Sequence, residues 1–138
     1  MIFHYLKREL ETLFVHRFGN DTMPWTNIFK NSLHYWGIFG ICCMYFFLKP
    51  GNPPQWQTKN LTIILGAIFM FFEALNFQTH LILRNLRRPG TTERNIPEGC
   101  GFGLVSCANY LWETLAWLVF AILAQTWGSY LFLAVASG

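Results

Sequence analysis

The chain has 138 residues, of which 53% are hydrophobic, 18% aromatic and only 12% charged, with a formal net charge of +3. A water-soluble domain of this length carries roughly twice that charged fraction, so much of the chain is expected to meet lipid rather than water. The modest, scattered positive charge argues against a nucleic-acid partner. Four cysteines without metal spacing (Cys42 and Cys43 adjacent, Cys100 and Cys107 alone) argue against a metal site or a disulfide scaffold.

In chain order, residues 2–18 come first, with Phe3, Leu6, Leu10, Leu13 and Phe14 at helical spacing. That pattern predicts an amphipathic helix or the tail of a span. Lys7, Arg8, Glu9 and Glu11 occupy the place where a cleavable signal peptide has its apolar core, so none is expected. A first span is predicted over 33–48, ended by the helix-breaking turn Lys49-Pro50-Gly51-Asn52-Pro53-Pro54. A second covers 61–83, followed by Pro89-Gly90 and a Gly-rich loop over 91–105. A third runs over 109–125; Trp127-Gly128-Ser129 reads as a break, and 130–136 as the first half of a fourth span.

The predicted fold class is therefore all-α: a polytopic membrane helical bundle with about three complete spans, a truncated fourth and an N-terminal helix, forming a single membrane domain over 1–138. Lys7, Arg8, Arg17 and Lys30 precede the first span, Arg84, Arg87, Arg88 and Arg94 follow the second, and only Lys49 and Lys59 lie between. Basic residues collect on the cytosolic side, which places the N-terminus and the 84–108 loop there.

The second span carries Glu73, Asn76 and His80, continued by Arg84 and Arg87. At about 100° per residue these five positions share an arc of roughly 80°. Ionisable groups at membrane depth are costly and mark functional sites, so a polar ligand lying along the column is expected; the competing reading is interhelical hydrogen bonding. Gln78 and Asn85 point elsewhere. The arginines at 84, 87, 88 and 94 read either as an ordinary cytosolic cluster or as a phosphate clamp, since guanidinium groups match phosphate oxygens two by two. With the column beneath them, a nucleotide with its phosphates at the surface uses both parts.

Asn109, Tyr110 and Glu113 open the third span on neighbouring positions, Asn109 as a cap or a partner for a carboxamide, Tyr110 as an interfacial aromatic, and Glu113 as a buried acid that needs a partner. Lys7 and Glu11 are one turn apart and read as an ion pair on a solvated face. Gly99, Gly101 and Gly103 have the wrong spacing for a dinucleotide fingerprint and follow no strand, so no Rossmann fold is expected.

The run from His4-Tyr5-Leu6-Lys7-Arg8 to His16-Arg17-Phe18, with Thr22-Met23-Pro24, Asn27-Ile28-Phe29-Lys30-Asn31, His34-Tyr35-Trp36-Gly37, Leu83-Arg84-Asn85-Leu86-Arg87, Ile96-Pro97 and Ser106-Cys107-x-Asn109-Tyr110, closely resembles the very-long-chain trans-2-enoyl-CoA reductases of the steroid 5α-reductase superfamily. The resemblance implies an endoplasmic-reticulum membrane enzyme that uses NADPH for the last reduction of each fatty-acid elongation cycle, in service of lipid and sphingolipid metabolism. Implied partners are a very-long-chain enoyl-CoA substrate, membrane lipid and the other fatty-acid elongation enzymes. Asn76, His80, Arg84, Arg87, Arg94, Asn109 and Glu113 match cofactor-contacting positions, Tyr110 the proton donor, Lys7 an essential lysine and Tyr5 a substrate-contacting tyrosine. Ala108 stands where many relatives have Pro, and His80 where the steroid enzymes carry an acid. The family's N-terminal ubiquitin-like domain and C-terminal basic-aromatic segment are not in these 138 residues, so a partial domain is expected.

The expected reaction is hydride addition at the β-carbon of the conjugated thioester, with donors placed where enolate charge develops. The other readings are a membrane methyltransferase of the isoprenylcysteine type and a non-catalytic or truncated membrane subunit.

Overall fold

The computed structural model describes residues 2–15, 25–43, 45, 48–50, 58–86 and 95–136. They form α1 (Ile2–Leu10), prolonged by a wider π-wound turn at Glu11–Val15, and α2 (Thr26–Ser32), prolonged by a π-wound stretch at Leu33–Cys43. Then come α3 (Lys59–Asn85), α4 (Ala108–Ala124) and α5 (Trp127–Ala136). The described residues contain no strand, and the chain is all-α as expected.

α3 has 27 residues, about 40 Å at 1.5 Å per residue, which exceeds a hydrocarbon core of about 30 Å. It outruns the expected span by two residues at each end. Thr58 starts it: its carbonyl accepts from Thr62 N (3.0 Å) and its hydroxyl from Leu61 N (3.4 Å). Among the described residues α3 is the one helix long and apolar enough to cross a membrane; α4 and α5 are apolar but have 17 and 10 residues. The expected first span is described as helix continuously from Leu33 to Cys43 and again at Tyr45 and Leu48, while Met44, Phe46, Phe47 and residues 51–54 of the following turn lie outside the described residues. Three complete spans are therefore not seen.

The break before the last helix falls at Gln125-Thr126, not at Trp127-Gly128-Ser129. Gln125 takes φ +50°, and Thr126 caps α5: Ser129 N donates to Thr126 Oγ1 (3.3 Å), and Ser129 Oγ donates to Thr126 O (2.7 Å). Side-chain capping decides the helix start, and Gly128 is carried as an ordinary buried helical residue.

The chain divides into two compact units, one of Met1–Thr22 with Phe71–Glu113 and one of Met23–Met70 with Thr114–Gly138. In the second, Phe132 of α5 sits against Phe39 (ring centroids 4.6 Å apart) and Trp117 (4.8 Å), both edge-to-face, the favoured aromatic geometry. This cluster seats α5 on the π-wound stretch.

The first unit reverses the usual distribution of polarity. His4, Glu11, Glu73, Asn76, Thr79 and His80 are buried, whereas Phe3, Leu6, Leu10, Leu13 and Phe14 of the α1 segment are exposed. Water drives such side chains the other way, and a hydrocarbon solvent favours this arrangement. Phe71 and Phe77 of α3 are exposed in the same unit.

Candidate active site

The site is built by the polar edge of α3 and the polar face of α1. Positions 73, 76 and 80 recur at helical spacing, and so do His4, Lys7, Arg8 and Glu11. The two edges meet residue against residue. Lys7 Nζ lies 2.7 Å from Glu73 Oε2, placed for Coulomb attraction rather than a directed hydrogen bond. It donates to Asn76 Oδ1 (2.8 Å) and, more weakly, to Glu73 O (3.3 Å). His4 Nδ1 donates to the other Glu73 oxygen (2.7 Å), which requires its proton on Nδ1.

One turn further on, the arrangement repeats with α1 supplying the acid. Glu11 is 1% exposed; His80 Nδ1 donates to its Oε2 (2.9 Å), and Arg8 Nη1 donates to the same oxygen (3.2 Å) while lying 3.3 Å from His80 Nε2. Lys7 Nζ is 3.7 Å from Glu11 Oε1. Each buried carboxylate thus has one histidine and at least one lysine or arginine, the condition under which a buried charge is tolerated. Burial pushes the Glu11 carboxyl up, but the His80 hydrogen bond and the charges of His80, Lys7 and Arg8 outweigh it, leaving Glu11 below the ordinary carboxylate range.

Asn76 carries the network to α4. Its Oδ1 accepts from Lys7 and its Nδ2 donates to Asn109 O (2.9 Å) in the first turn of α4. Asn109 does not cap that helix; the Cys107 carbonyl accepts its first bonds, from Tyr110 N and Leu111 N. The preceding loop is stapled from both sides. Trp112 Nε1 donates to Cys100 O (2.9 Å), its ring stacks on Phe72, and Cys100 Sγ contacts Leu75 O (3.7 Å). Gly101 takes φ +92°, and a Cβ there would meet Trp112 Cζ2 at 2.9 Å, so only glycine fits.

The column on α3 is consequently occupied by α1 over its inner three positions, and Lys7 and Glu11, expected on a solvated face, are turned inward. Polar faces that would seek water in a soluble helix pair with each other when the surroundings are apolar. Of the expected cofactor contacts, Asn76 and His80 are engaged with protein groups, while Arg84, Asn109 and Glu113 are half-buried. Arg87 and Arg94 lie outside the described residues. Tyr110 is 65% exposed, Tyr5 half-buried with its ring edge-on to His4, and Lys7 is linked to the Asn109-Tyr110 turn through Asn76. His4, Glu11 and Trp112 were not among the expected site residues. The 4/7/8/11 spacing, complementary to 73/76/80, was the available signal.

The chain has counterparts among known proteins. The profile of the 3-oxo-5-alpha-steroid 4-dehydrogenase family matches residues 21–137, and the chain belongs to that family. It is 44% identical over 130 residues to the very-long-chain enoyl-CoA reductase of Dictyostelium discoideum, covering 94% of this chain and 42% of that protein. It is also 44% identical over 137 residues to a candidate enoyl reductase of Schizosaccharomyces pombe, covering 99% of this chain and 46% of the relative. A mouse trans-2,3-enoyl-CoA reductase-like protein is 35% identical over 132 residues, covering 89% of this chain and 35% of the relative. The chain spans less than half the length of these curated relatives. No solved structure matches it.

Proposed function

We propose that this chain carries part of the membrane domain of an NADPH-dependent enoyl-CoA reductase, which converts a trans-2-enoyl-CoA to the saturated acyl-CoA in the last step of very-long-chain fatty-acid elongation. The reading is carried by identity, over nearly the whole chain, to proteins named for enoyl or enoyl-CoA reduction. The relatives favour neither the methyltransferase nor the non-catalytic reading. Residues 1–138 belong to one membrane domain in this proposal, multi-pass in the endoplasmic reticulum, with the N-terminus and the 84–108 loop cytosolic.

The residues divide in their fitness for a nucleotide. Arg84, near the carboxyl end of α3, with Arg87 and Arg94 beyond it, supplies the donors that phosphates require; Asn109 and Glu113, half-buried in the first two turns of α4, offer amide and carboxylate partners for a carboxamide. Asn76 and His80 do not fit that role directly, because their polar atoms serve α1 and α4.

When bound, NADPH supplies the hydride that adds to the substrate β-carbon. Tyr110 delivers one proton to the α-carbon, which balances the reduction of the double bond. The Lys7 ammonium, 2.7 Å from Glu73 Oε2 and 3.7 Å from Glu11 Oε1, is the positive group offered to enolate charge on the thioester oxygen, and Tyr5, two residues earlier on α1, is assigned to substrate contact. The acyl chain lies among the Phe-rich helices. The test is oxidation of NADPH by a long trans-2-enoyl-CoA, run on the full chain in membranes, with NADH as comparison. Turnover with NADPH is expected; failure to consume either nucleotide would remove the assignment.

A further inference from the structure

We infer that Glu73, backed by His4, is a positioning residue for Lys7. This deepens the reductase reading and rests on it. Glu73 is 3% exposed in the middle of α3 and His4 1% exposed on α1, so neither stands where a substrate could reach it, and neither is needed to terminate a helix. Between them they fix the lysine. A lysine side chain has four rotatable methylene links and ordinarily samples many rotamers. Here its ammonium group has one carboxylate oxygen at 2.7 Å, the carbonyl of the same residue at 3.3 Å, and the Asn76 amide oxygen at 2.8 Å. The Asn76 and Glu73 carbonyl oxygens take two of its N–H bonds, and the carboxylate holds the charge by Coulomb attraction.

The second oxygen of Glu73 is taken by His4 Nδ1 at 2.7 Å. Without it the carboxylate could rotate about its last torsion and carry Lys7 with it. His4 and Lys7 are three residues apart on one helix face, so a single glutamate holds both and sets the rotation of α1 on α3. Glu11 does not duplicate this function. Its nearer contacts go to His80 and Arg8, and its distance to Lys7 is 3.7 Å. A carboxylate that orients a metal-binding histidine acts in the same way: Glu73 does not meet the reacting atoms but fixes the side chain that does.

The test uses Glu73→Gln, Lys7→Met and the double variant, in the full chain in membranes, with kcat and KM for enoyl-CoA and NADPH. Glu73→Gln is expected to lower kcat at least tenfold with KM for NADPH within about twofold of the parent. The same substitution in the Lys7→Met background is expected to change kcat less than twofold, because its effect runs through Lys7. An equal loss in both backgrounds would overturn the inference and leave the reductase reading standing. An inactive parent chain would overturn that reading instead, and this inference with it.

A second readout does not need turnover. The rate at which an amine-directed reagent labels Lys7, relative to Lys59 on the same chain, should rise severalfold in Glu73→Gln. Should that variant fail to fold, His4→Ala leaves Lys7 and Glu73 in place and removes the brace. It must raise Lys7 labelling and lower kcat, and unchanged values of both would overturn the role assigned to the pair.

Discussion

Tyr110 is 65% exposed at the start of α4, on a turn whose backbone is held by Asn76 through the Asn109 carbonyl. An exposed phenol can be reached by a substrate and refilled with a proton from water, which suits a donor used once per turnover. Tyr110→Phe keeps the ring and removes the proton. It should lower kcat by about 10²–10⁴-fold, the usual range for a lost general acid, while NADPH still binds, as measured by fluorescence titration. Retained turnover would displace it. Glu11 allows a prediction on stability. Its carboxyl lies below its ordinary range in the folded chain, so its stabilising effect is fully present above that range and is lost as the pH falls through the folded value. Thermal unfolding in detergent should show a gap between the parent and Glu11→Gln at neutral pH that narrows on acidification. A gap independent of pH would mean that its charge contributes nothing.

At the scale of elements, the loop before α4 sets where Asn109, Tyr110 and Glu113 stand. Gly101→Ala forces a Cβ into the left-handed region and against Trp112. The left-handed conformation alone costs roughly 1–2 kcal/mol, and the indole must also shift. A loss of at least that size is expected in thermal or denaturant unfolding, and the combination with Trp112→Leu should cost less than the sum of the two, since both disturb one contact. Full additivity would separate the glycine from the indole. This joint was not legible beforehand. The glycines announce a loop, but which aromatic closes over it depends on the approach of Trp112 on α4, eleven residues beyond Gly101.

The helices themselves were largely legible. A periodic apolar run of this length has few alternatives, and α3 departs from expectation only at its ends, where Thr58 contributes the cap. The break falls at Gln125-Thr126 rather than at Trp127-Gly128-Ser129 because the Thr126–Ser129 bonds, not the glycine, decide where α5 starts. The polar edge of α3 was visible from spacing alone. Its partner was not recognised, because the face of α1 that carries Lys7, Arg8 and Glu11 reads as solvated in any water-based reckoning.

For the whole molecule, the orientation can be tested through Cys107. It is exposed in the loop placed on the cytosolic side, whereas burial pushes the Cys100 thiol up and lowers its reactive thiolate fraction. In sealed microsomes a membrane-impermeant maleimide should label the chain, and Cys107→Ser should abolish most of that label. Labelling only after permeabilisation would reverse the orientation.

What the residue order determined by itself is the all-α character, the position of the membrane-length helix and the presence of an ionisable edge upon it. These follow from local periodicity and from the composition of each run. Which groups satisfy that edge was decided only in the tertiary structure. Burying a carboxylate requires a partner, and the sequence holds several cations that could serve. The choice of His4 and Lys7 for Glu73, and of His80 for Glu11, depends on α1 lying along α3 in one register with its apolar face outward. Such pairing between residues some seventy positions apart is written in no local pattern, because its energy exists only once both helices have met.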